Sequence, residues 1–568
     1  MLELNSLYGL YERGANLFGA HPLFRFNRVK EEMVTVNYDE YLTFLQKMTL
    51  AMGELGVKDN KVIVVGETSV QWITAYLSTV TAGGVIVPLD PGILEDEMVN
   101  FINLSEAKVV VYSKTFEKFF TERGNELSTV EMFVQTDKTT FTLTTDEAYE
   151  ASRYTTFNNI LALGEYLYAN LENGFVLPPQ DNEKMSVLLF TSGTTGTSKG
   201  VMLSQKNICA VMKGIEPTLS ILTKDDSVLS VLPIHHTYEM SAGILAPTIY
   251  GITINISDGI KYVAKNMKQF QPSVMTLVPL FVATLYKTIM KSVQKQGKEK
   301  TLKRGVKISN FLMKFHVDLR KKLFAQVLDA LGGKLKYFIV GGAALNPDLV
   351  DNFKNLGVHI SQGYGITECA PLISVIGLTD YNPASCGKAI PGMQVMIDKE
   401  NPDDLTGEIV VKGDNVMLGY YNAPELTNEV ISNGWFRTGD YGYVDKKGYI
   451  YITGRKKNII IASNGKNVFP EEIEEYIGEI PFVEEVVVVG RDGEKKGDVE
   501  IVAIAVPNAD ECEAAGLTDE EAIYNAINEK IKEINKKLVS YKNINKLEIR
   551  NEPFEKTAAK KIKRFLVK

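Results

Sequence analysis

Short runs of β-branched residues alternate with helical segments early in the chain, and this alternation constrains the fold more than any other feature. Lys61–Gly66 (KVIVVG), Gly84–Pro88 (GVIVP) and Lys108–Tyr112 (KVVVY) each have the pattern of a strand buried on both faces. Strands separated by helices predict βαβ units and a parallel sheet. Because 568 residues exceed what one compact core accommodates, more than one domain is expected. The sequence therefore predicts an α/β protein whose large N-terminal domain has layered, mostly parallel sheets with helices.

The pattern changes after residue 453. Val486–Val489 and Ile501–Val506 predict strands, and Glu520–Leu538 repeats isoleucine and leucine on one helical face. We place a boundary near Gly454, which gives a domain of residues 1–453 and a small α+β domain of residues 454–568. No internal repeat or low-complexity tract is evident.

Charge and cysteine usage exclude several classes of protein. The formal net charge of -8 argues against a general nucleic-acid binder. The four cysteines are scattered without a CxxC pair, and the five histidines lack metal-ligand spacing, which indicates a reducing compartment and no structural zinc. Met1–Ala20 carries charges inside its apolar stretch, so no signal peptide is predicted. A cytoplasmic location is the expectation.

Two uncharged stretches, Thr68–Leu89 and Met240–Ser257, are long enough to be candidate membrane spans. Glycine and proline interrupt both, so each predicts a buried helix, a glycine turn and a strand. Residues 287–330 form a basic, amphipathic helical insertion with two interpretations. It is either a solvated helix pair or a contact with an anionic membrane surface.

The strongest local signal is Leu188–Ser204 (LLFTSGTTGTSKGVMLS), in which an apolar strand runs into a loop of threonine, serine and glycine. Glycines allow backbone N–H groups to approach an anion closely, and hydroxyls and a lysine add donors and positive charge. Ser198 occupies the place of the second glycine of a Walker A loop, so the spacing is different. The candidate phosphate-binding residues are Thr191, Ser192, Gly193, Thr194, Thr195, Gly196 and Lys199.

This loop resembles the phosphate-binding signature of the AMP-forming acyl-, aryl- and aminoacyl-activating enzymes, the superfamily of acyl-CoA synthetases, luciferases and peptide-synthetase adenylation domains. Further matches follow in that superfamily's order. They are LPIHHTYE at 232–239, GGAAL at 341–345, QGYGITE at 362–368, GEIVVKG at 407–413, GWFRTGD at 434–440, GRKKNII at 454–460 and TAAKKIKR at 557–564. The resemblance implies activation of a carboxylic acid with ATP and Mg²⁺ through an acyl-adenylate, followed by transfer to a thiol such as coenzyme A.

The resemblance also assigns nucleotide contacts. Tyr364 would stack on adenine, Thr367 would bond the α-phosphate, and Asp440 would accept from the ribose hydroxyls, with Arg455 as a second ribose contact. Glu368 is a hard oxygen ligand suited to Mg²⁺, and Thr191 is a second metal candidate. His236 would border the acyl pocket near the carboxylate. The remaining cofactor-binding candidates are Gly341, Gly342, Ala343, Gln362, Gly363, Gly365 and Ile452.

The final segment would supply the adenylation lysine. By the pattern T-x-x-G-K-I-x-R this is Lys561, whose cation would offset charge developing between carboxylate and α-phosphate. In the superfamily the C-terminal domain rotates between half-reactions, with Lys457 at the pivot and Gly465 lining a tunnel for the thiol. This chain departs from the pattern at Ser198, Asn458 and Lys560. The last of these leaves the choice between Lys560 and Lys561 open.

The expected reaction is that of a long-chain fatty acid–CoA ligase, because LPIHHTYE and the basic insertion resemble that group. Two alternatives remain: an adenylating enzyme with an acyl carrier protein as acceptor, and a non-catalytic binder of nucleotide or acyl-AMP. The expected partners are fatty acid, ATP and CoA, without nucleic acid; peripheral membrane contact and a homo-oligomer stay open.

Overall fold

The computed structural model describes residues 2–28, 32–191, 199–462, 466–493, 499–556 and 562–567. The described chain forms two compact units. The first contains residues up to 191, 199–394 and 411–436, and the second contains 395–410 and 437–567.

The elements are numbered in chain order. The helices are α1 (Leu7–Phe18), α2 (Tyr38–Glu54), α3 (Val70–Thr81), α4 (Glu95–Ser105), α5 (Glu117–Arg123), α6 (Phe157–Ala169), α7 (Gln205–Ile215), α8 (Thr237–Glu239), α9 (Ala246–Thr248), α10 (Val263–Phe270), α11 (Pro279–Lys295), α12 (Glu299–Met313), α13 (Arg320–Leu323), α14 (Ala325–Ala330), α15 (Pro347–Leu356), α16 (Pro424–Val430), α17 (Pro470–Gly478), α18 (Ala509–Ala514) and α19 (Glu520–Asn535). A π-helical segment, Met240–Leu245, joins α8 to α9.

The strands are β1 (Pro22–Asn27), β2 (Met33–Asn37), β3 (Lys61–Val65), β4 (Val85–Leu89), β5 (Val109–Ser113), β6 (Met132–Thr136), β7 (Tyr154–Thr156), β8 (Met185–Thr191), β9 (Lys199–Ser204), β10 (Ser227–Ser230), β11 (Thr253–Ile256), β12 (Val274–Leu277), β13 (Tyr337–Val340), β14 (His359–Gly365), β15 (Leu372–Val375), β16 (Lys388–Ala389), β17 (Gln394–Asp398), β18 (Gly407–Lys412), β19 (Gly419–Tyr420), β20 (Ile431–Ser432), β21 (Trp435–Val444), β22 (Ile450–Arg455), β23 (Ile460–Ile461), β24 (Asn467–Val468), β25 (Val483–Asp492), β26 (Val499–Pro507) and β27 (Lys546–Ile549).

The first unit contains two large sheets. One has the order β16-β15-β14-β13-β12-β10-β11-β1-β2, and its strands from β14 to β1 run parallel. The other has the order β19-β9-β8-β4-β3-β5-β6-β7, parallel from β8 to β7. The three β-branched runs noted in the sequence are β3, β4 and β5, and they are neighbours in the second sheet. The predicted parallel α/β architecture is confirmed.

Helix α3 shows why an uncharged stretch need not be a membrane span. Ser69 caps its first turn by accepting from the N–H of Trp72, and every residue from Val70 to Thr81 is buried inside the first unit. Gly83, with φ of +83°, then turns the chain into β4. The stretch 240–257 likewise forms helical turns and then β11. In the part of the chain that the structure describes, no helix combines the length and the apolarity needed to cross a bilayer.

The second unit has its own core. Strands β25, β26 and β27 form a three-stranded sheet whose apolar face is covered by α17 and α19. Ile527, Ile531 and Ile534 of α19 are buried in that core, as the periodicity of 520–538 predicts. Strands β17, β18, β20, β21 and β22 form a separate five-stranded sheet, in which β20 and β22 each pair antiparallel with β21. The predicted small α+β unit is confirmed.

Candidate functional site

The loop with the phosphate-binding signature leaves and re-enters one β-hairpin. Strands β8 and β9 are antiparallel, and their register pairs Thr191 with Lys199. The Thr191 hydroxyl donates to the Lys199 carbonyl at 3.4 Å. The hairpin therefore holds the two ends of the loop together, and Thr191 and Lys199 are both half-buried. The candidates Ser192, Gly193, Thr194, Thr195 and Gly196 lie outside the described residues.

Tyr420 connects the hairpin to the glutamate of the QGYGITE motif. Strand β19 pairs with β9, which brings the ring of Tyr420 over Lys199, with Nζ 4.8 Å from the ring centroid. The Tyr420 hydroxyl donates to Glu368 Oε1 at 3.0 Å. Burial, followed by the charge of Glu368, raises the pKa of Tyr420, so the hydroxyl keeps its proton and remains a donor. Lys199 and Glu368, distant in sequence, thus belong to one cluster.

The turn that carries Glu368 is fixed by backbone contacts. Met417 N donates to the Glu368 carbonyl at 2.8 Å, and the Asn415 side chain donates to the carbonyls of Cys369 and Leu372. Gly365 precedes the turn at a point where an added Cβ would lie 2.0 Å from the Pro371 oxygen. A side chain at Gly365 would therefore force the turn apart. The rigid turn presents Thr367 and Glu368, both half-buried, beside Tyr420.

The two glycine-rich strips assigned to the purine are neighbours in the structure. Strands β13 and β14 are parallel with Val340 opposite Gln362, so Gly341 follows beside Gly363 at the carboxyl end of the sheet. An added Cβ at Gly341 would lie 3.5 Å from the Gly363 oxygen. Gly342 has φ of +90°, which favours glycine. In open α/β sheets this edge is where ligands bind.

The remaining residues of the two strips differ in exposure. Ala343 is exposed, Gln362 and Tyr364 are buried, and Gly363 and Gly365 are half-buried. Tyr238 lies beneath the strips, because its hydroxyl donates to the carbonyls of Leu277 and Ile339 at 3.2 and 2.8 Å. It therefore ties β12 to β13 where both strands end.

A narrow cavity in the first unit lies beside the LPIHHTYE segment. It is lined by Tyr76, Pro88, Val187, Leu189, Ile208, Ile234, His235, Thr237, Met240, Ser241, Leu245 and Ala370. His235 lines the cavity, whereas the side chain of His236 is exposed and stands at the N-terminus of α8. His235 Nε2 lies 3.5 Å from Asp90 Oδ2. Burial opposes ionisation of Asp90, but the contact with His235, the backbone N–H of Gly92 and the charge of His236 together outweigh it and lower the pKa of this carboxyl.

Glu239, the last residue of the same motif, is a fully buried carboxyl group. It accepts hydrogen bonds from Ser230 Oγ at 2.5 Å and Thr276 Oγ1 at 2.7 Å, on β10 and β12. An added Cβ at Gly243 would lie 2.6 Å from Glu239 Oε1, so glycine makes room for it. Burial raises the pKa of Glu239 to about 7 despite these hydrogen bonds. The group joins the histidine segment to the sheet.

We expect Glu239→Gln to change how stability depends on pH. A carboxyl group whose folded pKa is raised favours folding most below its unfolded pKa, 4.5, and this contribution is lost as pH rises through about 7. The loss amounts to about 3 kcal/mol for one such group. Urea unfolding followed by the fluorescence of Trp72 and Trp435, both in the first unit, measures it. Between pH 5 and 8, the free energy of unfolding should fall in both proteins, and the fall in wild type should exceed that in the variant by about 3 kcal/mol.

The exposed Glu429→Gln on α16 is the control for a surface carboxylate. Its stability curve should run parallel to that of wild type across the same pH range. If the Glu239→Gln curve also runs parallel, Glu239 does not titrate with a raised pKa.

The residues assigned to the ribose lie together in the second unit. Asp440 of β21 stands opposite Arg455 of β22, and Arg455 Nε contacts Asp440 Oδ1 at 2.7 Å. Asp440 is buried and Arg455 is partly exposed. The two charged side chains are therefore held together on neighbouring strands of one sheet. Ile452, three residues before Arg455, is 38% exposed on β22.

The segment after β22 contains the proposed pivot. Burial, then the charges of Arg455 and Arg564, lower the pKa of Lys457. Asn458 Nδ2 donates to Glu471 Oε1 at 2.5 Å. An acid at 458, usual in the superfamily, would face this carboxylate, which gives a physical reason for asparagine here. Gly465 lies outside the described residues.

Lys556, just before the final motif, and Ile562 and Arg564, at the motif's end, are held to the second unit. Lys556 forms an ion pair with Glu485 and a β-bridge with Ile562. Arg564 pairs with Glu474, and burial raises the pKa of Glu474 to about 7 even though Arg564 opposes the shift. Lys560 and Lys561 themselves lie outside the described residues.

The donor set of the first unit suits a magnesium ion bound with nucleotide. Glu368 and Thr191 provide hard oxygen atoms, and Mg²⁺ is usually held by one or two protein oxygens together with phosphates and water. In the described ranges no group of three or more His, Cys, Asp or Glu side chains could form a complete protein cage. With Glu368 and Thr191 as its protein ligands, a magnesium ion would need phosphate oxygens and water to complete its coordination.

Several residues of the site were not singled out from the sequence. Tyr420 lies in LGYYN, which carries no periodic or motif signal, and Asp90 lies in an ordinary turn. Tyr238 and His235 are inside LPIHHTYE, but the resemblance assigns a role in that segment only to His236. Their roles follow from contacts between distant segments, which local patterns do not encode.

Comparison with known proteins identifies the family of this chain. The family model described as AMP-binding enzyme matches residues 12–421, and the model of the AMP-binding enzyme C-terminal domain matches 457–567. A long-chain-fatty-acid–CoA ligase of Rattus norvegicus is 27% identical over 85% of this chain and 74% of its own length. A 2-succinylbenzoate–CoA ligase of Bacillus cereus is 31% identical over 67% of this chain and 70% of its own length.

A solved structure shares the fold. The anthranilate CoA ligase AuaEII in complex with anthranoyl-AMP superposes with a TM-score of 0.75 at 18% identity, covering 99% of this chain and 96% of that one. The chain belongs to the AMP-binding enzyme family, within the superfamily of acyl- and aryl-CoA ligases.

Proposed function

We propose that this protein is an AMP-forming acid–thiol ligase for long-chain fatty acids, with CoA as acceptor. The carboxylate oxygen of the acid attacks the α-phosphorus of ATP, and pyrophosphate leaves. The CoA sulfur then attacks the carbonyl carbon of the acyl-adenylate, its proton is lost, and AMP leaves. The cluster of Lys199, Tyr420 and Glu368 is the observation that carries the proposal.

The cluster suits a polyphosphate for electrostatic reasons. Lys199 brings a cation to the end of the loop, and Glu368 and Thr191 would hold Mg²⁺, which neutralises phosphate charge when bound. Tyr420 orients the Glu368 carboxylate through a hydrogen bond that it cannot lose by ionising near neutral pH. Lys199 and the Glu368 carboxylate oriented by Tyr420 are thus in place for the ATP phosphates and their Mg²⁺ before ATP binds.

The remaining roles follow the superfamily. The strips at 341–343 and 362–365 would contact adenine, Thr367 the α-phosphate, and Asp440, Ile452 and Arg455 the nucleoside. We keep a domain boundary at 453/454 with Lys457 as pivot, Lys561 as the adenylation lysine and Gly465 on the path of the thiol.

The apolar residues that line the cavity beside His235 are the proposed start of the acyl site. The cavity itself is only about 10 Å³, room for about one water molecule, so a bound tail would have to widen it. Its lining is apolar apart from a few hydroxyl groups and His235, which favours an aliphatic or aromatic tail over a charged one. His236 and His235 would stand where the tail meets the carboxylate. The similarity to a long-chain-fatty-acid–CoA ligase supports an aliphatic tail.

We expect thioester formation to be fastest with long-chain acids. The test supplies ATP, Mg²⁺ and CoA with a chain-length series from short to long fatty acids, and with 2-succinylbenzoate and anthranilate. A longer tail buries more apolar surface, about 0.8 kcal/mol per methylene, so kcat/KM should rise with length until the site is filled. A preference for the aromatic acids would contradict the long-chain assignment and leave adenylation intact.

The acceptor is decided in the same assay. Replacing CoA with a holo acyl carrier protein should yield little thioester. Acid-dependent ATP–pyrophosphate exchange without either acceptor is the expected sign of catalysis, and its absence with every acid would favour a non-catalytic binder.

A further inference from the structure

The outer side of α12 carries exposed apolar side chains next to a row of cations. At 100° per residue, Leu302, Val306 and Ser309 point inward, and their side chains are buried or half-buried. Ile308 and Phe311 point outward, and Phe315 continues the same line beyond the helix end. These three side chains are 54%, 59% and 63% exposed. We call Ile308, Phe311, Phe315 and the neighbouring cations the α12 face.

The apolar members of the α12 face form one group. The rings of Phe311 and Phe315 lie 5.3 Å apart in an edge-to-face arrangement. Single exposed apolar residues are ordinary on a protein surface, but a contiguous exposed group indicates an interaction site.

The cations of the α12 face flank the apolar line on one side. They are Lys300, Lys303, Lys307 and Lys314, while Arg304 lies on the apolar line itself, and all five are exposed. Residues 287–330 contain twelve Lys and Arg but three Asp and Glu, a formal charge of +9 in a chain whose total is -8. The face is therefore a concentrated positive region on an otherwise acidic protein.

We propose that the α12 face docks on an anionic lipid surface. Phe311 and Phe315 would enter the boundary between headgroups and acyl chains, while the adjacent lysines would lie against lipid phosphates. The inference does not depend on which acid the enzyme uses. It is independent of the catalytic cluster, because no residue of the α12 face belongs to it.

Charge and chemistry favour lipid over other partners. A second copy of this chain would bring an equal positive face against the first, which is repulsive. Nucleic acid would neutralise the lysines, yet a duplex would leave two exposed phenylalanines without an apolar partner. A lipid surface is anionic at its headgroups and apolar beneath them, so it matches both halves of the face.

The experiment sediments the full-length protein with two kinds of vesicle, phosphatidylcholine alone and phosphatidylcholine mixed with phosphatidylglycerol. We expect binding to the mixed vesicles and little to the neutral ones, with the binding weakened by added salt. Failure to bind the mixed vesicles at low salt would overturn the proposal. So would binding that does not distinguish the two compositions.

Two sets of variants test the face itself. The double variant Phe311→Ser, Phe315→Ser should reduce the partition coefficient by at least about tenfold. The triple variant Lys303→Gln, Lys307→Gln, Lys314→Gln should reduce it by about 100-fold, since each cation near an anionic surface contributes about fivefold. Thioester formation from a short-chain acid without vesicles should be unchanged in both, which shows that the variants are folded.

Matched control variants remove the same number of exposed apolar side chains and of exposed cations elsewhere in the first unit. Tyr166→Ser with Val176→Ser removes two exposed apolar groups, and Lys58→Gln, Lys138→Gln and Lys184→Gln remove three exposed cations. Both controls should bind vesicles as wild type does. If they lose binding as much as the α12 variants, the effect is one of general charge or hydrophobicity and the proposal is wrong. Self-association or RNA binding that is lost in the α12 variants, without vesicle binding by wild type, would assign the face to those partners instead.

Discussion

Glu368→Ala is expected to reduce acid-dependent ATP–pyrophosphate exchange by about 100-fold or more. Glu368 is the half-buried carboxylate of the cluster with Tyr420 and Lys199, and it is the proposed protein ligand for Mg²⁺. Without this ligand, Mg²⁺ would no longer be held against the phosphates, and the transition state would lose several kcal/mol of stabilisation. Each 1.36 kcal/mol corresponds to about tenfold in rate. The exchange rate at saturating acid, followed over a range of Mg²⁺ concentrations, measures the effect.

Tyr420→Phe separates orientation from charge in the same cluster. The substitution removes the 3.0 Å hydrogen bond to Glu368 and keeps the ring over Lys199. A lost partner of a metal ligand typically costs about 10- to 100-fold in metal affinity or activity. We expect a loss of about tenfold that excess Mg²⁺ partly restores, whereas Glu368→Ala should not be restored.

The exposed Glu425→Ala on α16 is the control for removal of one carboxylate and should exchange at the wild-type rate. If Glu368→Ala also retains that rate at low Mg²⁺, Glu368 is not a metal ligand. Wild-type Mg²⁺ dependence of Tyr420→Phe would show that the hydrogen bond has no role in metal binding.

The fold was predictable because its strands are buried on both faces. Such strands appear as short β-branched runs, and β3, β4 and β5 fall where those runs lie. Helix α19 was equally readable, since its buried isoleucines repeat at helical spacing. The end of α19 was not predictable in this way. The apolar pattern continues to Leu538, but the helix ends at Asn535, and Lys537 N donates a hydrogen bond to the Ile534 carbonyl.

The site was only partly predictable. The motifs gave Lys199 and Glu368, but nothing local indicated that β19, two residues long, would place Tyr420 between them. The same holds for Asn458, whose departure from the superfamily pattern makes physical sense only once Glu471 is seen to accept its hydrogen bond. Local patterns indicate which residues are unusual, and long-range pairing decides what they contact.

Lys561→Ala is expected to reduce adenylation by about 100- to 1,000-fold, the usual effect of removing one group that stabilises developing charge. Thioester formation from supplied acyl-AMP and CoA should stay within a few-fold of wild type, because the expected rotation of the C-terminal domain withdraws Lys561 from the site before that step. Lys556, just before the motif, and Arg564, its last residue, are anchored by the Lys556–Glu485 and Arg564–Glu474 pairs. Removing one lysine side chain between them should therefore leave the second unit folded.

Two matched variants decide the assignment among the crowded C-terminal lysines. Lys563→Ala removes a partly exposed cation that lies 4.0 Å from Glu555, and it should leave both half-reactions near wild type. Lys560→Ala tests the position where the superfamily has glycine. Because a single cation at the reaction centre must sit within a few ångströms of the α-phosphate to act, only one of these lysines can give the large, selective loss. Selective loss with Lys560→Ala would move the role to that residue, and equal losses in both half-reactions with Lys561→Ala would mean that Lys561 supports the fold rather than adenylation.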